Sequence, residues 1–288
     1  MDIIRQVNEM MRWVREPRAA GKEIGVVPTM GYLHEGHLSL CRLSLADGGR
    51  TVVTVFVNPT QFGPGEDLAR YPRDEERDLK MLRELGISAV FLPTPEEMYP
   101  PDYVTYVETG GPSRGWCGAT RPTHFRGVTT VISQMFHITQ PNRAYFGQKD
   151  AQQVAVLKQM VRDLKFPIQV IVGETVREPD GLAMSSRNTY LTAEDRKAAL
   201  VLFRALQLGR DLYKQGEHSG ERLTEAMRRV IAAEPHVRTD YIGVVNRRCF
   251  RAVEEVSPED LLIGAIYVGS CRLIDNLDVS PQIYPLRD

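Results

Sequence analysis

The stretch that most constrains the fold of this chain runs from Ile24 to His37, where an apolar strand passes through a glycine turn into a helix. Its sequence is IGVVPTMGYLHEGH, so the apolar run stops at Pro28 and two histidines follow, three residues apart. A strand that enters a helix through such a turn points free backbone N–H groups above the turn, and the helix dipole adds positive potential there. Since residues at i and i+3 share one helix face, His34 and His37 are expected side by side. The stretch predicts a strand–helix unit with a site suited to phosphate.

The chain up to about residue 175 repeats this alternation of apolar strands and amphipathic helices. The pattern predicts strands at residues 22–28, 51–57, 88–92, 143–146 and 168–172, and helices at residues 2–20, 36–47, 74–85, 128–139 and 150–164. Such alternation is typical of parallel strands joined by right-handed crossovers, in which ligands bind beyond the carboxyl ends of the strands. Segments 29–37, 58–61 and 147–150 are therefore expected to converge on one cleft.

After Gly173 the pattern changes to two helices, at residues 193–214 and 219–233, and two strands, at residues 241–245 and 262–268. The predicted fold class is thus α/β, with a Rossmann-like parallel sheet in an N-terminal domain and a smaller α+β C-terminal domain. The predicted domains are residues 1–175 and 176–288. Segments 93–101 and 110–127 are rich in proline and glycine and are expected to form an irregular flap. Hinges are expected at residues 63–65, for a second flap over residues 64–72, and at residues 173–176.

Charge and cysteine content narrow the classes of function. The 288 residues carry 36 basic and 37 acidic side chains, a formal net charge of −1, which gives no reason to expect a nucleic acid or an anionic membrane as partner. The four cysteines show no C-x-x-C spacing, so we expect reduced thiols in a cytoplasmic protein and no zinc ribbon. Neither a secretory signal nor a run long enough to span a membrane is expected.

Several interpretations of the two histidines remain open at this point. They could donate hydrogen bonds to phosphate, satisfy the free N–H groups of a helix start, or form half of a zinc site whose other ligands are not near in sequence. The phosphate interpretation gains support from the segment Met184–Arg187, which reads MSSR. A guanidinium can bind phosphate with two bonds, each contributing about 1.5–3 kcal/mol. The same segment also resembles an ordinary turn before a helix capped by Thr192.

Four further side chains are candidates for the predicted cleft. Lys149 stands at a helix start, where its charge opposes the helix dipole unless an anion is bound; the alternative is a surface lysine beside a capping Asp150. Gln61 and Gln153 are uncharged amides suited to a hydroxylated substrate, or simply solvated. Arg126 could anchor a carboxylate or phosphate, or form a structural salt bridge.

Longer strings carry a resemblance to a known family. They are PTMGYLHEGH (28–37), FVNPTQF (56–62), HFRG (124–127), FGQKD (146–150) and LAMSSRN (182–188). In this order and spacing, they resemble the pantothenate synthetases (pantoate–β-alanine ligases), members of the adenylyl-transferring HIGH superfamily. The resemblance implies an ATP-dependent ligase that condenses (R)-pantoate with β-alanine through pantoyl adenylate, releasing pyrophosphate and AMP. It also implies that the domain of residues 1–175 binds the nucleotide and pantoate and that the domain of residues 176–288 acts as a lid. Mg²⁺ with ATP and a cytoplasmic homodimer are implied as well.

The resemblance also implies roles for individual residues. ATP would be bound by Met30, Gly31, Tyr32, Leu33, His34, Glu35, Gly36, His37, Gly147, Gln148, Lys149, Asp150, Val176, Met184, Ser185, Ser186 and Arg187. Four of these, His34, His37, Lys149 and Arg187, would be catalytic, with His37 as a proton donor. Gln61 and Gln153 would hold pantoate, with Arg126 as a further candidate. Asp78 is the one candidate for Mg²⁺, and the ion would rest mostly on phosphate oxygens and water. Tyr32 stands where the family often has a smaller residue.

Three rival functions remain to be separated from this one. A nucleotidylyltransferase would transfer AMP to a phosphate ester and would need cations for that second phosphate. A nucleic-acid-binding relative would need a basic face. A nucleotide sensor without activity would keep the binding residues but would not turn over.

Overall fold

A six-stranded parallel sheet organises the first part of the computed structural model, which describes residues 1–280. Its strands are β1 (Asp2–Ile4), β2 (Ile24–Thr29), β3 (Arg50–Val55), β4 (Ala89–Phe91), β5 (Arg143–Gly147) and β6 (Gln169–Gly173). Their spatial order is β1-β4-β3-β2-β5-β6. The chain therefore winds one way from β2 and the other way from β5, so the topological switch point lies between those two strands. Ligands of such sheets bind at that point, beyond the carboxyl ends.

Helices cover both faces of this sheet and one face of the second. They are α1 (Val7–Trp13), α2 (Arg15–Ala19), α3 (Glu35–Ala46), α4 (Glu75–Glu84), α5 (Pro95–Met98), α6 (Trp116–Thr120), α7 (His124–Thr139), α8 (Ala151–Asp163), α9 (Ala193–Lys214) and α10 (Gly220–Ala232). Short 3-10 turns at residues 59–61, 111–113, 148–150 and 186–190 connect several of them.

Alternate strand residues enter separate cores on the two faces of the parallel sheet. Val26 and Val52 pack with α7 and α8, whereas their neighbours Val27 and Val53 pack with α3 and α4. All four valines are fully buried, as expected for a parallel sheet covered on both faces. These packed strands form a firm base beneath the loops at their carboxyl ends.

The C-terminal part is a separate antiparallel sheet in the order β7-β8-β9, formed by β7 (Val237–Val245), β8 (Leu261–Val268) and β9 (Cys271–Asp278). Helices α9 and α10 cover it, and their apolar faces share a core with the strands. The predicted fold class, a Rossmann-like α/β part with a smaller α+β part, is confirmed. The domain boundary near residue 175 stays a prediction, and residues 281–288 of the second predicted domain lie outside the described part.

Three local predictions were wrong. Residues 2–20 do not form one helix, because Asp2–Ile4 pairs with β4 and Pro17 interrupts the helix that follows. A proline has no N–H for the carbonyl of the residue four places earlier, here Trp13, where α1 ends. Strand β9 was not predicted at all. The segments 93–101 and 110–127 were expected to be irregular, but the first contains α5 and the second contains α6 and the first turn of α7.

No helix within residues 1–280 combines the length and the apolar character needed to cross a bilayer.

Candidate active site

A cavity of about 560 Å³ opens at the carboxyl ends of the central strands. Segments after β2, β3, β5 and β6 contribute to its wall, so the predicted convergence of segments 29–37, 58–61 and 147–150 is confirmed. The sequence-predicted residues that line it are Met30, His34, Gly36, His37, Gln61, Gly147, Lys149, Asp150, Gln153, Val176, Met184, Ser185, Ser186 and Arg187. The structure therefore gathers one mixed site from segments that are far apart in sequence.

Six of the predicted ATP-binding and substrate-binding residues do not line this cavity: Gly31, Tyr32, Leu33, Glu35, Gln148 and Arg126. Glu35 is exposed and forms an ion pair with Arg42. Arg126 is also exposed, and its guanidinium lies 4.9 Å from the ring centroid of Tyr106. Because His124 begins α7 and already faces the cavity, a residue two places later projects from another side of the helix. The geometry gives no support for Arg126 as a substrate anchor.

His34 and His37 form a reciprocal cap at the start of α3. The backbone N–H of Gly36 donates to Nδ1 of His34 at 3.2 Å, and the backbone N–H of His34 donates to Nδ1 of His37 at 3.3 Å. A neutral imidazole that accepts at Nδ1 carries its proton on Nε2. The structure thus assigns both rings the tautomer with an Nε2–H donor.

Both imidazole rings are also expected to be uncharged at neutral pH. Burial, with the positive charge of Lys149, lowers the pKa of His34 to about 4. Burial, followed by the charges of His34 and Lys149, also lowers the pKa of His37. The ring centroids are 4.0 Å apart, which also disfavours two positive charges. At neutral pH the site therefore offers two uncharged N–H donors and no strong base.

Asp78 fixes the turn between β2 and α3. Its two carboxylate oxygens accept the backbone N–H groups of Tyr32 at 2.7 Å and Leu33 at 2.8 Å. These bonds hold Gly31 and Tyr32 in the left-handed region, with φ of 79° and 49°, which is unusual for a tyrosine. A Cβ on Gly31 would lie 2.9 Å from Val55, so glycine is required there. The amides of Tyr32 and Leu33 consequently serve the turn and are not free for phosphate.

The segment that carries Arg187 contacts the histidine turn, but the Arg187 guanidinium itself is bound to a carboxylate. Its Nε and Nη2 donate to the two oxygens of Asp67, both at 2.8 Å, and its guanidinium lies 5.5 Å from the ring centroid of Tyr71. The neighbouring Ser186 Oγ donates to the carbonyl of Tyr32 at 3.2 Å. The two sequence-remote motifs are therefore in direct contact.

The flap expected at residues 64–72 lies over the cavity and is held by charged side chains. Besides the Asp67 pair, Glu66 accepts from Nε of Arg121 at 2.7 Å, and Tyr190 donates its hydroxyl proton to the carbonyl of Arg70 at 3.0 Å. Gly65 in this segment has a φ of 79°. The segment therefore lines one side of the cavity, and its carboxylate at Asp67 occupies a guanidinium that a ligand anion could bind instead.

Gln61 is held in place by its neighbours. Asn58, itself buried, donates through Nδ2 to Oε1 of Gln61 at 3.0 Å, and Nε2 of Gln61 lies 3.3 Å from the sulfur of Met30. Helix α7 approaches this loop closely at Gly127, where a Cβ would lie 2.4 Å from the carbonyl oxygen of Thr60. A thioether is a weak acceptor, so the amide N–H₂ of Gln61 remains available to a substrate oxygen.

Sequence reasoning missed several cavity residues. Arg121 and Glu66 form an ion pair in the cavity wall, and His124 donates a hydrogen bond through Nδ1 to the backbone carbonyl of Gln61 at 2.9 Å. Burial, with the charge of Arg121, lowers the pKa of His124 to about 3. The HFRG string pointed to this region, but the histidine, and not the arginine, faces the cavity. Asp275 and Asn276 of β9 also line it and had no sequence signal.

The donor set does not form a protein cage for a metal ion. Among the described residues, no group of three His, Cys, Asp or Glu side chains is placed to hold one. Asp78 uses both oxygens for the backbone of the turn, which favours a structural role for it. Acidic residues that line the cavity, such as Asp150, leave room for an ion carried mainly by phosphate oxygens and water.

Comparisons with known proteins agree with this geometry. The family model for pantoate-beta-alanine ligase matches residues 2–278. The pantothenate synthetase of Moorella thermoacetica is 52% identical over 277 residues, covering 96% of this chain and 98% of that relative. The solved pantothenate synthetase of Thermus thermophilus has a TM-score of 0.93 at 46% identity, covering 98% of this chain and 100% of its own. A pantoate-beta-alanine ligase from Francisella tularensis, solved with beta-gamma ATP and beta-alanine, has a TM-score of 0.79 at 31% identity, covering 97% and 98%. The chain therefore belongs to the pantoate-beta-alanine ligase family.

Proposed function

We propose that this protein condenses pantoate with β-alanine, using ATP and passing through a pantoyl adenylate. The observation that carries the proposal is the meeting of the neutral pair His34 and His37 with Lys149 and the Met184–Arg187 segment around one cavity. The Francisella relative, solved with a nucleotide and β-alanine, supports the choice of substrates.

The first step joins two anions, so the site must offset their repulsion. An oxygen of the pantoate carboxylate attacks the α-phosphorus, the bond from that phosphorus to the bridging oxygen breaks, and pyrophosphate leaves. We assign the Nε2–H groups of His34 and His37 to the phosphate oxygens, together with the cations of Lys149 and Arg187. Positioning and electrostatic stabilisation are the main requirements of such transfers. The lowered pKa values of both histidines suit donors that add no charge of their own.

The second step uses the amine of β-alanine. Its nitrogen attacks the acyl carbon, the C–N bond forms, the bond from that carbon to the phosphate oxygen breaks, and AMP leaves while the nitrogen loses its extra protons to solvent. We assign the hydroxyls and carboxylate of pantoate to Gln61 and Gln153. Uncharged amides fit a hydroxylated acid better than a second phosphate, which argues against the nucleotidylyltransferase alternative.

An acyl adenylate is hydrolysed by water, so the cavity must be closed during the first step. Segment 64–72 is suited to this because it lines the cavity and because the ion pair between Glu66 and Arg121 can hold it there after ATP has displaced Asp67 from Arg187. Bound Mg²⁺ would neutralise charge on the triphosphate oxygens, with water and phosphate as its main ligands.

Isotope exchange between pyrophosphate and ATP tests the adenylate directly. Exchange should require pantoate and should not require β-alanine, whereas AMP release should require both. A nucleotidylyltransferase would show exchange with a phosphate ester instead, and an inactive sensor would show none. Exchange that proceeds equally without pantoate would contradict the proposal.

We also propose a homodimer in the cytoplasm. Val104 and Tyr106 are 81% and 50% exposed on one extended segment, an apolar surface that a second copy would cover. Four cysteines that form no disulfide fit a reducing compartment. Light scattering of the wild type and of Val104→Glu tests the dimer: loss of the dimer in the variant is expected, and a monomeric wild type would refute it.

A further inference from the structure

The dipeptide Asp275–Asn276 on β9 connects the small sheet to both cationic segments of the cavity. The two residues are 6% and 5% exposed and line the cavity wall, although they lie in the middle of a strand whose neighbours build an apolar core. Buried polar groups in such a position are costly unless they are fully bonded. Their partners therefore indicate what they are retained for.

Asn276 binds the turn that carries Lys149. Its Nδ2 donates to the carbonyl of Gln148 at 2.9 Å and to the carbonyl of Lys149 at 3.0 Å. Its Oδ1 accepts from Nε2 of the buried Gln148 at 3.1 Å. One carboxamide thus fixes two consecutive peptide groups of a 3-10 turn, directly at the residue whose ammonium enters the cavity.

Asp275 binds Arg177, which lies at the start of the segment that leads to Arg187. Its two oxygens accept from the guanidinium of Arg177 at 2.6 and 2.9 Å. Arg177 also donates to the carbonyl of Gly181 at 3.0 Å and stacks 4.2 Å from the ring centroid of Phe203. Residues Arg177 and Ala183 form a bridge, so the backbone enters Met184–Arg187 from a fixed position.

We propose that Asn276 is a positioning residue that sets the place of the Lys149 ammonium, with Asp275 fixing the entry to the Arg187 segment beside it. The proposal rests on the assignment of these cations to ATP phosphates. A group that is displaced by about 1 Å from a reacting site can lose about 10²-fold in rate. Through Asp275 and Asn276, the C-terminal sheet therefore helps to position the nucleotide site, although it lies beyond the domain boundary predicted near residue 175.

Asn276→Ala tests the proposal. We expect kcat for pantothenate formation to fall by roughly 10–10²-fold, with the KM for pantoate changed less than about twofold, because the lost contacts reach Lys149 and not the predicted pantoate residues. The decisive comparison is a double-mutant cycle with Lys149→Ala. Once Lys149 has been removed, Asn276→Ala should reduce kcat by less than about threefold. Effects that multiply in the double variant would overturn the proposal, as would an unchanged kcat in Asn276→Ala.

Asn246→Ala is the matched control. Asn246 directly follows β7 of the small sheet, and its side chain also binds backbone, accepting from the N–H groups of Arg248 at 3.1 Å and Cys249 at 3.2 Å, but it does not line the cavity. Its variant should keep wild-type kcat. If Asn276→Ala does not fold, Asn276→Ser retains one donor, and the same cycle with Lys149→Ala gives the answer. Pyrophosphate exchange by the wild type is measured alongside, because its absence would refute the proposed function and not the positioning role.

Discussion

The ion pair between Asp67 and Arg187 makes a direct prediction about ATP affinity. If Arg187 binds the triphosphate, the nucleotide must first displace a carboxylate that holds the same guanidinium with two bonds of 2.8 Å. Burial alone would raise the pKa of Asp67, but the hydrogen bonds and charge of Arg187 outweigh it, so the pKa is lowered. Asp67 is consequently ionised at neutral pH and competes with phosphate. Asp67→Asn should therefore bind ATP more tightly.

The size of the effect follows from the contacts. A charge-assisted bond contributes about 1.5–3 kcal/mol net and a neutral one about 0.5–1.5 kcal/mol, and asparagine retains one neutral acceptor. The side chains are 26% and 11% exposed, so solvent screens part of the attraction. The competing interaction should weaken by about 1–2 kcal/mol, which is a factor of roughly 5–30 in the dissociation constant.

Isothermal titration calorimetry with a non-hydrolysable ATP analogue measures this change. Glu66→Gln is the control, because Glu66 lies in the same segment and pairs with Arg121 rather than Arg187. Loosening the segment alone would affect both variants, whereas competition for Arg187 affects only Asp67→Asn. Equal or weaker nucleotide binding by Asp67→Asn would refute the reasoning that Arg187 exchanges a carboxylate for phosphate.

Three further predictions concern the cavity. Lys149→Ala should lower kcat by roughly 10²–10³-fold, the usual loss for one preorganised charge donor, and near wild-type turnover would remove Lys149 from the mechanism. Gln153→Ala should weaken pantoate binding by roughly tenfold, the loss of about one hydrogen bond, with ATP affinity unchanged in equilibrium titrations; equal weakening of both ligands would reassign the residue. The third prediction concerns the pKa of His34, which is lowered to about 4, so its contribution to stability is present above the unfolded value of about 6.5 and is lost as pH falls from there through 4. Thermal unfolding from pH 7 to pH 4 should show this loss, and His34→Asn should reduce it.

The parallel sheet and the place of the cavity were predictable because both follow from local patterns. β-branched apolar runs such as Thr51–Val55 indicate buried strands, and the topology rule then brings their carboxyl ends together. The starts of α3 and α9 were also predictable, since the His34–His37 turn and Thr192 supply the capping groups of these two helices. These are features that act within a few residues of each other.

The individual side-chain contacts between distant segments could not be predicted. Asp78 lies in a highly charged helix and was considered only as a candidate for Mg²⁺, yet it accepts hydrogen bonds from the backbone amides of Tyr32 and Leu33. Strand β9 was missed because Asp275 and Asn276 interrupt its apolar pattern. In the structure, these two polar residues can be buried because Gln148 and Arg177, which lie outside the small sheet, supply their hydrogen bonds. The two side chains that prevented the prediction of β9 are thus the ones that connect it to the cavity.

Three cations of the cavity each have a carboxylate partner, which explains how a nearly neutral chain keeps a site for a polyanion. Arg187 binds Asp67, Arg121 binds Glu66, and the Lys149 ammonium lies 3.7 Å from Asp150. A half-buried cluster of unpaired cations would oppose folding, because buried charges are costly without partners. Asp67 lies on segment 64–72 rather than on the strands beneath the cavity, so the triphosphate can take its place at Arg187 while Glu66 stays paired with Arg121. Asp150, in contrast, belongs to the turn that Asn276 holds, and its charge should remain beside Lys149 throughout turnover.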